Sequence, residues 1–349
     1  MDPAITEQVL TRYARGDSLD RIRDDLGLTF YCVRKIVRDA GVLRDRNGRA
    51  PAAQSGHVAP EFPGLKDFPE DPTELLDFVE AAAEQHQAWD IAQRIVEAEI
   101  ATDLPIAVAF RADWHVGNRN TLYKLLRRDN AIIRDTAGLY TAELGDFCDA
   151  FFSERMADGV QEAVVPPKMQ RHYLWASYAI YLRGKVIGDV TGQHDYWASQ
   201  RAAFDPVEWL SHDFKIPYLR HGGLIRLTVG EQMYEIRVRH KAKGNSQWNP
   251  THSNIRSLYF GDGHHDVVAH ADKHIFGIQQ VEYQHKPSIL LRPGAYKPYD
   301  NFSDANDFPT SEPIIPVVIF YPRERDMQCV RGLEQAANIL SRLRDGGRP

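Results

Sequence analysis

Cysteine is scarce in this sequence. Its 349 residues include only three cysteines, Cys32, Cys148 and Cys329, and they lie far apart. So few thiols argue against a disulfide framework and predict a reducing compartment, in which all three act as small buried apolar side chains. The expected location is the cytoplasm, or a host cell's cytoplasm if the chain is viral.

Long apolar runs and a basic excess are also missing. No apolar run approaches the roughly 18–20 residues of a membrane span, so no membrane partner is expected. The segment that starts at Met1 is polar and does not resemble a signal peptide. A net charge of -6 excludes a polycation that coats nucleic acid, so any such contact must come from a local patch.

The first 43 residues predict a small helical domain. Apolar residues at helical spacing indicate three short helices, with Gly16, Gly27 and Gly41 at their ends and Thr29 as the N-cap of the third. Helix, glycine-containing turn, helix is a layout similar to the helix-turn-helix. We therefore expect residues 1–43 to form a helix-turn-helix DNA-binding domain.

The third helix would expose basic and aromatic side chains suited to DNA phosphates. These residues are Tyr31, Arg34, Lys35 and Arg38. Arg44, Arg46 and Arg49 follow. The alternative is a three-helix protein-docking module whose basic face is only solvated.

A proline-rich stretch, residues 44–72, is predicted to be a linker. Residues 73–349 would then form the second domain. It is expected to begin with a helical stretch to about residue 100, with Leu76 and Val79 inside, and to end with a helix over residues 330–343. After it, apolar strands alternate with helices, which predicts an α/β domain with helices on the faces of a sheet. The polar run 296–311 is expected to be a lid or a surface loop.

Polar clusters follow several of these predicted strands. The histidines support a site there, because ten of the 14 fall between His194 and His285. In extended chain, residues two apart point to the same side, so Asp113 and His115 would grip one metal ion together. The other clusters, in chain order, are Gly145-Asp146-Phe147-Cys148-Asp149, Gly192-Gln193-His194-Asp195, His240, and Ala269-His270-Ala271-Asp272.

Five blocks in this order resemble the calcineurin-like metallophosphoesterases, whose pattern is Asp-x-His, Gly-Asp-x-x-Asp, Gly-Asn-His-Asp/Glu, a lone His and Gly-His-x-His. The resemblance covers roughly residues 104–280. It implies a two-sheet α/β-sandwich, completed by the C-terminal part, and a two-metal site that activates a bridging water. Mn, Fe or Zn would suit its mixed oxygen and imidazole ligands.

The resemblance also implies residue roles. Asp146 would bridge both metals, and His194 would donate a proton near the leaving oxygen, oriented by Asp195. The implied metal ligands are Asp113, His115, Asp146, Gln193, His240, His270 and Asp272.

Two blocks depart from the family pattern. Gln193 stands where the family has Asn, so its amide oxygen sits one methylene further out. Asp272 stands in place of the second His of the last block, and His274 is a rival for that role. We expect His264 and His265 to be solvated loop residues.

The pairing of the two domains predicts hydrolysis of phosphodiesters in DNA, which is a nuclease-like activity. Two alternatives stay open. One is a phosphomonoesterase for nucleotides or phosphoproteins, with the helical module only docking it. The other is a DNA-binding regulator whose phosphoesterase domain is inactive.

Overall fold

The structure is a computed structural model that describes residues 3–40, 72–92, 94–150, 157–202, 204–244, 246, 248–261 and 263–346. The chain divides into two compact units, Met1–Asp77 and Phe78–Pro349. The predicted linker, apart from its last residue, lies outside the described residues, as does Gly41, the predicted end of the third helix.

Three helices form the first unit's described N-terminal part: α1 (Pro3–Ala14), α2 (Leu19–Leu26) and α3 (Phe30–Asp39). The Thr29 hydroxyl accepts a hydrogen bond from the Cys32 amide and so caps α3, as predicted. Gly27, with φ 62°, ends α2 in the left-handed conformation that glycine tolerates. The helices enclose a small core of Val9, Tyr13, Ile22, Val33, Ile36 and Val37.

The next helix, α4 (Pro72–Ala92), ends sooner than expected. Residues 95–100 were predicted to be helical, but Ile95–Ile100 form strand β1, which pairs in parallel with β5 (Gly222–Val229). The β-branched residues in Ile-Val-Glu-Ala-Glu-Ile favour a strand once a neighbouring edge supplies hydrogen bonds. Leu76 and Val79 of α4, predicted to lie inside, are exposed.

Two sheets form the second unit, so the expected two-sheet α/β architecture is present. One sheet has the order β11-β10-β2-β3-β4, and the other has the order β1-β5-β6-β7-β9-β8. The strands not yet given are β2 (Ile106–Arg111), β3 (Leu139–Glu143), β4 (Val186–Asp189), β6 (Gln232–Arg239), β7 (Val267–His270), β8 (Gly277–Tyr283), β9 (Lys286–Arg292), β10 (Val317–Phe320) and β11 (Met327–Val330).

Strand β2 shows how the layers pack, since it is buried on both faces. Val108 and Phe110 lie in a core that also includes Ile225 and Ile236 from the facing sheet. Ala107 and its same-face neighbours instead contact the helices. The apolar run in the sequence therefore reflects a strand covered on both sides.

The helices of this unit include several that the sequence pattern did not predict. Strand β11 pairs antiparallel with β10, so the C-terminal helix begins at Leu333 and not at residue 330. The helices are α5 (Tyr123–Asp135), α6 (Ala157–Gln161), α7 (Pro167–Ser177), α8 (Gln193–Ala202), α9 (Pro206–Phe214), α10 (His252–Phe260), α11 (Asn301–Ala305) and α12 (Leu333–Arg344). A π-helical turn, Tyr178–Leu182, extends α7.

A buried carboxylate, Asp189, ends β4. It accepts hydrogen bonds from the Tyr178 and Ser211 hydroxyls, each at 2.9 Å. Burial and the nearby charge of Glu143 nevertheless raise the pKa of Asp189 to about 8. The folded protein therefore holds a proton here at pH values where the unfolded chain has released it.

This proton predicts a pH-dependent stability. Between about pH 4, the usual pKa of Asp, and about pH 8, rising pH should weaken the fold by up to about 1.4 kcal/mol per pH unit. Asp189→Asn removes the titrating group, so its free energy of unfolding should fall less over this interval, as measured by urea unfolding from pH 5 to 8. Asp135→Asn, at an exposed carboxylate paired with Arg134, is the matched control and should keep the wild-type slope. Identical slopes for Asp189→Asn and the wild type would refute the assignment.

Candidate metal centre

The predicted blocks meet at one edge of the two sheets. Strands β2, β3 and β4 run parallel, so the loops after their carboxyl ends are neighbours. The Asp113 amide donates to the Gly145 carbonyl at 2.9 Å, and the His115 amide donates to the Asp146 carbonyl at 3.0 Å. In the facing sheet, β6 and β7 are also parallel and deliver His240 and His270.

The backbone of this edge is bent into left-handed conformations. Asp113, His115 and Asp146 have φ values of 53°, 47° and 55°, and Asp272 and His274 have 74° and 54°. The expectation that Asp113 and His115 share one side of an extended strand is therefore wrong, because β2 ends at Arg111. Non-glycine residues adopt such conformations at a cost, and their clustering here is typical of functional sites.

Two glycines let the loops after β3 and β4 touch. A Cβ atom on Gly145 would lie 2.4 Å from the Gly192 amide nitrogen, and one on Gly192 would lie 2.0 Å from the Asp146 amide nitrogen. No side chain fits into either space without moving backbone. These glycines therefore set the distance between Asp146 and the start of α8.

Carboxylate and imidazole groups converge where the loops meet. His274 Nε2 lies 3.3 Å from Asp113 Oδ1 and 3.0 Å from His115 Nε2, while His240 Nε2 lies 3.1 Å from Asp146 Oδ2. Among the described residues, three groups each place one ligand atom per residue within 4.8 Å of one another. They are Asp113 with His115 and His274, Asp113 with Asp146 and His240, and His115 with Asp149 and His194.

The buried polar atoms test whether this cluster fits a cation. Asp113 is fully buried, yet neither carboxylate oxygen accepts a hydrogen bond from any residue that the structure describes. His270 Nε2 is likewise buried without a hydrogen-bond partner in the described chain, while Nδ1 lies 3.2 Å from Ser253 Oγ. Buried charges are normally paired or bound to metal. The donor set of carboxylates and imidazoles fits divalent metal ions.

Electrostatics favour neutral imidazoles at two of these positions. Burial, reinforced by the charges of Lys297, His194 and His274, holds the pKa of His115 well below its usual value. Burial and three nearby arginines lower the pKa of His270 to about 3. Neutral imidazole is the form that binds metal. At His240, burial is outweighed by the Asp146 carboxylate, which raises its pKa to about 10.

The last block is corrected by the structure. His274, and not Asp272, joins the cluster, because the left-handed turns at both residues carry the chain so that the imidazole reaches Asp113. Asp272 enters none of the candidate groups among the described residues, and its carboxylate lies 3.3 Å from Lys273 Nζ. His265 is buried, contrary to the expected solvated loop, whereas His264 is partly exposed.

The quartet at residues 192–195 starts a helix rather than filling a loop. The His194 amide, in the first turn of α8, donates to Asp146 Oδ1 at 2.7 Å. His194 Nδ1 lies 2.6 Å from the Asp149 carbonyl oxygen, a contact that the sequence did not predict. The Asp195 carboxylate instead accepts the backbone amides of Phe147, Cys148 and Gly192, at 3.1–3.3 Å.

Gln193 lies at the same edge, but its amide oxygen accepts a hydrogen bond from Lys241 Nζ at 2.6 Å. This oxygen, which was predicted to bind a metal ion, therefore has the Lys241 ammonium group as its partner. Cys148, beside Asp149, is buried as predicted, whereas Cys32 and Cys329 are only partly buried.

Sequence reasoning gave no role to Asp149 or Asn118. Asp149 Oδ1 lies 3.0 Å from His115 Nδ1, and Asp149 Oδ2 accepts a hydrogen bond from Asn118 Nδ2 at 3.1 Å. For Asp149, the position three residues after Asp146 could have indicated a role. For Asn118, the only indication was its position shortly after Asp113 and His115.

Comparisons with known proteins add little to this geometry. No protein-family model matches the chain, and no curated protein matches it. The crystal structure of the calcineurin-like phosphoesterase YfkN from Bacillus subtilis is similar over 70% of this chain and 100% of that chain, at 9% sequence identity and a TM-score of 0.37. At that score the similarity carries no argument about fold or activity, so the interpretation depends on the residues. No helix in the described part of the chain is long and apolar enough to cross a membrane.

The buried carboxylate of Asp113 predicts opposite effects on metal binding and on metal-free stability. Asp113→Asn should lose Mn²⁺, measured by metal analysis after dialysis, because both candidate groups that contain Asp113 lose a ligand charge. In EDTA the variant should be as stable as the wild type or more stable, by about 1–3 kcal/mol, because it removes a buried carboxylate that has no hydrogen-bond donor among the described residues.

Asp103→Asn, at an exposed carboxylate, is the control for both measurements and should change neither. Full Mn²⁺ binding by Asp113→Asn would rule out a metal centre that contains Asp113 as a ligand.

Proposed function

We propose that this protein is a metal-dependent phosphoester hydrolase. One observation carries the proposal: a fully buried Asp113 carboxylate without a hydrogen-bond donor in the described chain, shared by two adjoining Asp/His groups. Adjoining metal ions about 3.5–4 Å apart are typical of phosphatases and nucleases. We assign Asp113, His115 and His274 to one ion, and Asp113, Asp146 and His240 to the other, with His270 as an additional candidate ligand.

Two divalent ions, Mn²⁺ by preference, would supply positive charge to the phosphate and lower the pKa of water. The protein's own residues would do the rest. Water gives up one proton to solvent, and its oxygen forms the new bond to phosphorus. The bond to the leaving oxygen breaks, and its electron pair stays on that oxygen. We assign to His194, protonated on both ring nitrogens, the proton that the leaving oxygen takes. Its Nδ1–H donates to the Asp149 carbonyl oxygen, so the proton passes from Nε2, and solvent then restores it.

The substrate that we propose is a phosphodiester, tested first with small esters. Manganese-loaded protein should hydrolyse bis-p-nitrophenyl phosphate faster than p-nitrophenyl phosphate. His194→Ala should lower kcat on the diester by about 10²–10⁴-fold while keeping its metal, since general acid catalysis contributes that much. His172→Ala, a histidine on α7 outside the candidate groups, is the matched control.

Faster turnover of the monoester would favour a phosphomonoesterase. No turnover of either ester by metal-loaded wild type would refute the enzyme and favour a DNA-binding regulator.

DNA is the diester that we propose, and α3 supports it. Its apolar residues Val33, Ile36 and Val37 are buried, so its opposite face is free of the small core. That face carries the exposed side chains Tyr31, Arg34, Lys35 and Arg38. Close to His194, the exposed Tyr196 offers a ring on which a base would stack.

Charge removal on α3 tests the DNA proposal. Arg34→Ala with Lys35→Ala should weaken binding of duplex DNA and reduce the slope of log affinity against log salt by about 1–2, because two phosphate contacts are lost. Fluorescence anisotropy at several salt concentrations measures both. Arg15→Ala with Arg21→Ala removes the same charge from exposed positions off α3 and should leave the slope near the wild-type value. Equal losses in the two double variants would contradict recognition by α3.

A further inference from the structure

Lys297 is a buried lysine beside the candidate metal centre and belongs to none of the motif blocks. It follows β9 and retains only 3% of its exposed surface. Its Nζ lies 3.3 Å from Asp149 Oδ1 and 2.7 Å from Asp300 Oδ2. Burial lowers the pKa of Lys297, but the two carboxylates outweigh burial and raise it, so the ammonium stays charged.

Asp149, the first partner of Lys297, contacts two histidines of the site. Its Oδ1 lies 3.0 Å from His115 Nδ1, and its carbonyl oxygen lies 2.6 Å from His194 Nδ1. Both oxygens accept hydrogen bonds only, so each imidazole carries a proton on Nδ1. A partner of this kind fixes the tautomer and the orientation of a histidine ring.

The second partner anchors Lys297 to the chain that follows. Asp300 is the N-cap of α11, and its side chain accepts the Ser303 amide in a capping box. The Asn301 amide in turn donates to Glu162 Oε1 at 3.1 Å. The run that was expected to be a lid or a surface loop is therefore tied to the edge that holds Asp149.

Removing the ammonium would leave Asp149 and Asp300 without their shared counter-charge in a buried environment. Glu162 is also close, because Asn118 Nδ2 donates both to Asp149 Oδ2 and to Glu162 Oε2. Like charges brought together in low dielectric repel strongly. Asp149 would have to move, and its movement would disturb the ring that its carbonyl oxygen holds.

We propose that Lys297 is a positioning residue that holds Asp149 in place and thereby orients His194 for proton donation to the leaving oxygen. This role rests on the proposed phosphoester hydrolysis. A residue that only stabilises the fold would affect every substrate equally. The proposed role of Lys297 instead affects one step, the transfer of a proton to the leaving oxygen as its bond to phosphorus breaks. A leaving oxygen that is a strong base needs that proton, whereas p-nitrophenolate leaves without it.

The test compares leaving groups. Manganese-loaded Lys297→Met should lose about 10–100-fold in kcat on methyl phenyl phosphate and little on methyl p-nitrophenyl phosphate, since only the former needs the proton. Combined with His194→Ala, it should add no further loss on methyl phenyl phosphate, and Lys297→Arg should restore part of the rate. Lys185→Met removes a half-buried lysine that donates to the Thr136 and Leu139 carbonyls, and it should leave the ratio of the two rates unchanged.

A second readout does not need activity. In metal-free protein with ¹⁵N-labelled histidine, long-range proton–nitrogen spectra should show His194 with a proton on Nδ1. Lys297→Met should shift the His194 and His115 ring nitrogens, and Lys185→Met should not. If Lys297→Met does not fold, Lys297→Gln carries the same expectations, because it also removes the positive charge beside Asp149.

Three results would each overturn the role of Lys297. The first is an equal loss of kcat on both esters, the second is a loss in the double variant that multiplies with that of His194→Ala, and the third is an unchanged ring spectrum in Lys297→Met. Absence of turnover by the wild type would instead refute the proposed hydrolase, and the ring spectra would still decide whether Lys297 positions the histidines.

Discussion

A buried carboxylate that has no hydrogen-bond donor among the described residues is the constraint on which this structure depends. Asp113 lies at the end of the central strand β2, and its carboxylate is enclosed by loops from both sheets. Burying such a group costs several kcal/mol unless a cation compensates it. The imidazoles of His274 and His240 belong to the two candidate groups that share Asp113. Burial of the Asp113 carboxylate is therefore unfavourable in the metal-free protein, and a divalent ion bound beside it would make this burial favourable.

The loops reach this point because the backbone accepts strain and close contact. Left-handed conformations at Asp113, His115 and Asp146 turn three side chains into one small volume. The contact between Gly145 and Gly192 brings the first turn of α8 against Asp146. Asp195 then ties the two loops together through three backbone amides. Packing between the sheets supplies the rigidity that holds these conformations.

A layer of supporting residues surrounds the candidate ligands. Asp149 accepts from His115 and His194, and Lys297 compensates its charge from a segment far along the chain. Such partners set which ring nitrogen carries the proton and which is left to bind metal or exchange a proton. The proposed chemistry depends on this layer as much as on the ligands, since a misplaced imidazole fails even when the metal is bound.

The sequence by itself determined the alternation of strands and helices, the three N-terminal helices and most residues of the candidate site, because apolar periodicity and the polar blocks after strands are local signals. It did not determine β1 or the start of α12, where pairing with distant strands overrides the local pattern. Only the tertiary structure shows that His274, and not Asp272, lies in a cluster with Asp113, since the left-handed turns there depend on surrounding packing. It alone revealed Lys297, because nothing local marks a lysine that meets Asp149 from 148 positions away.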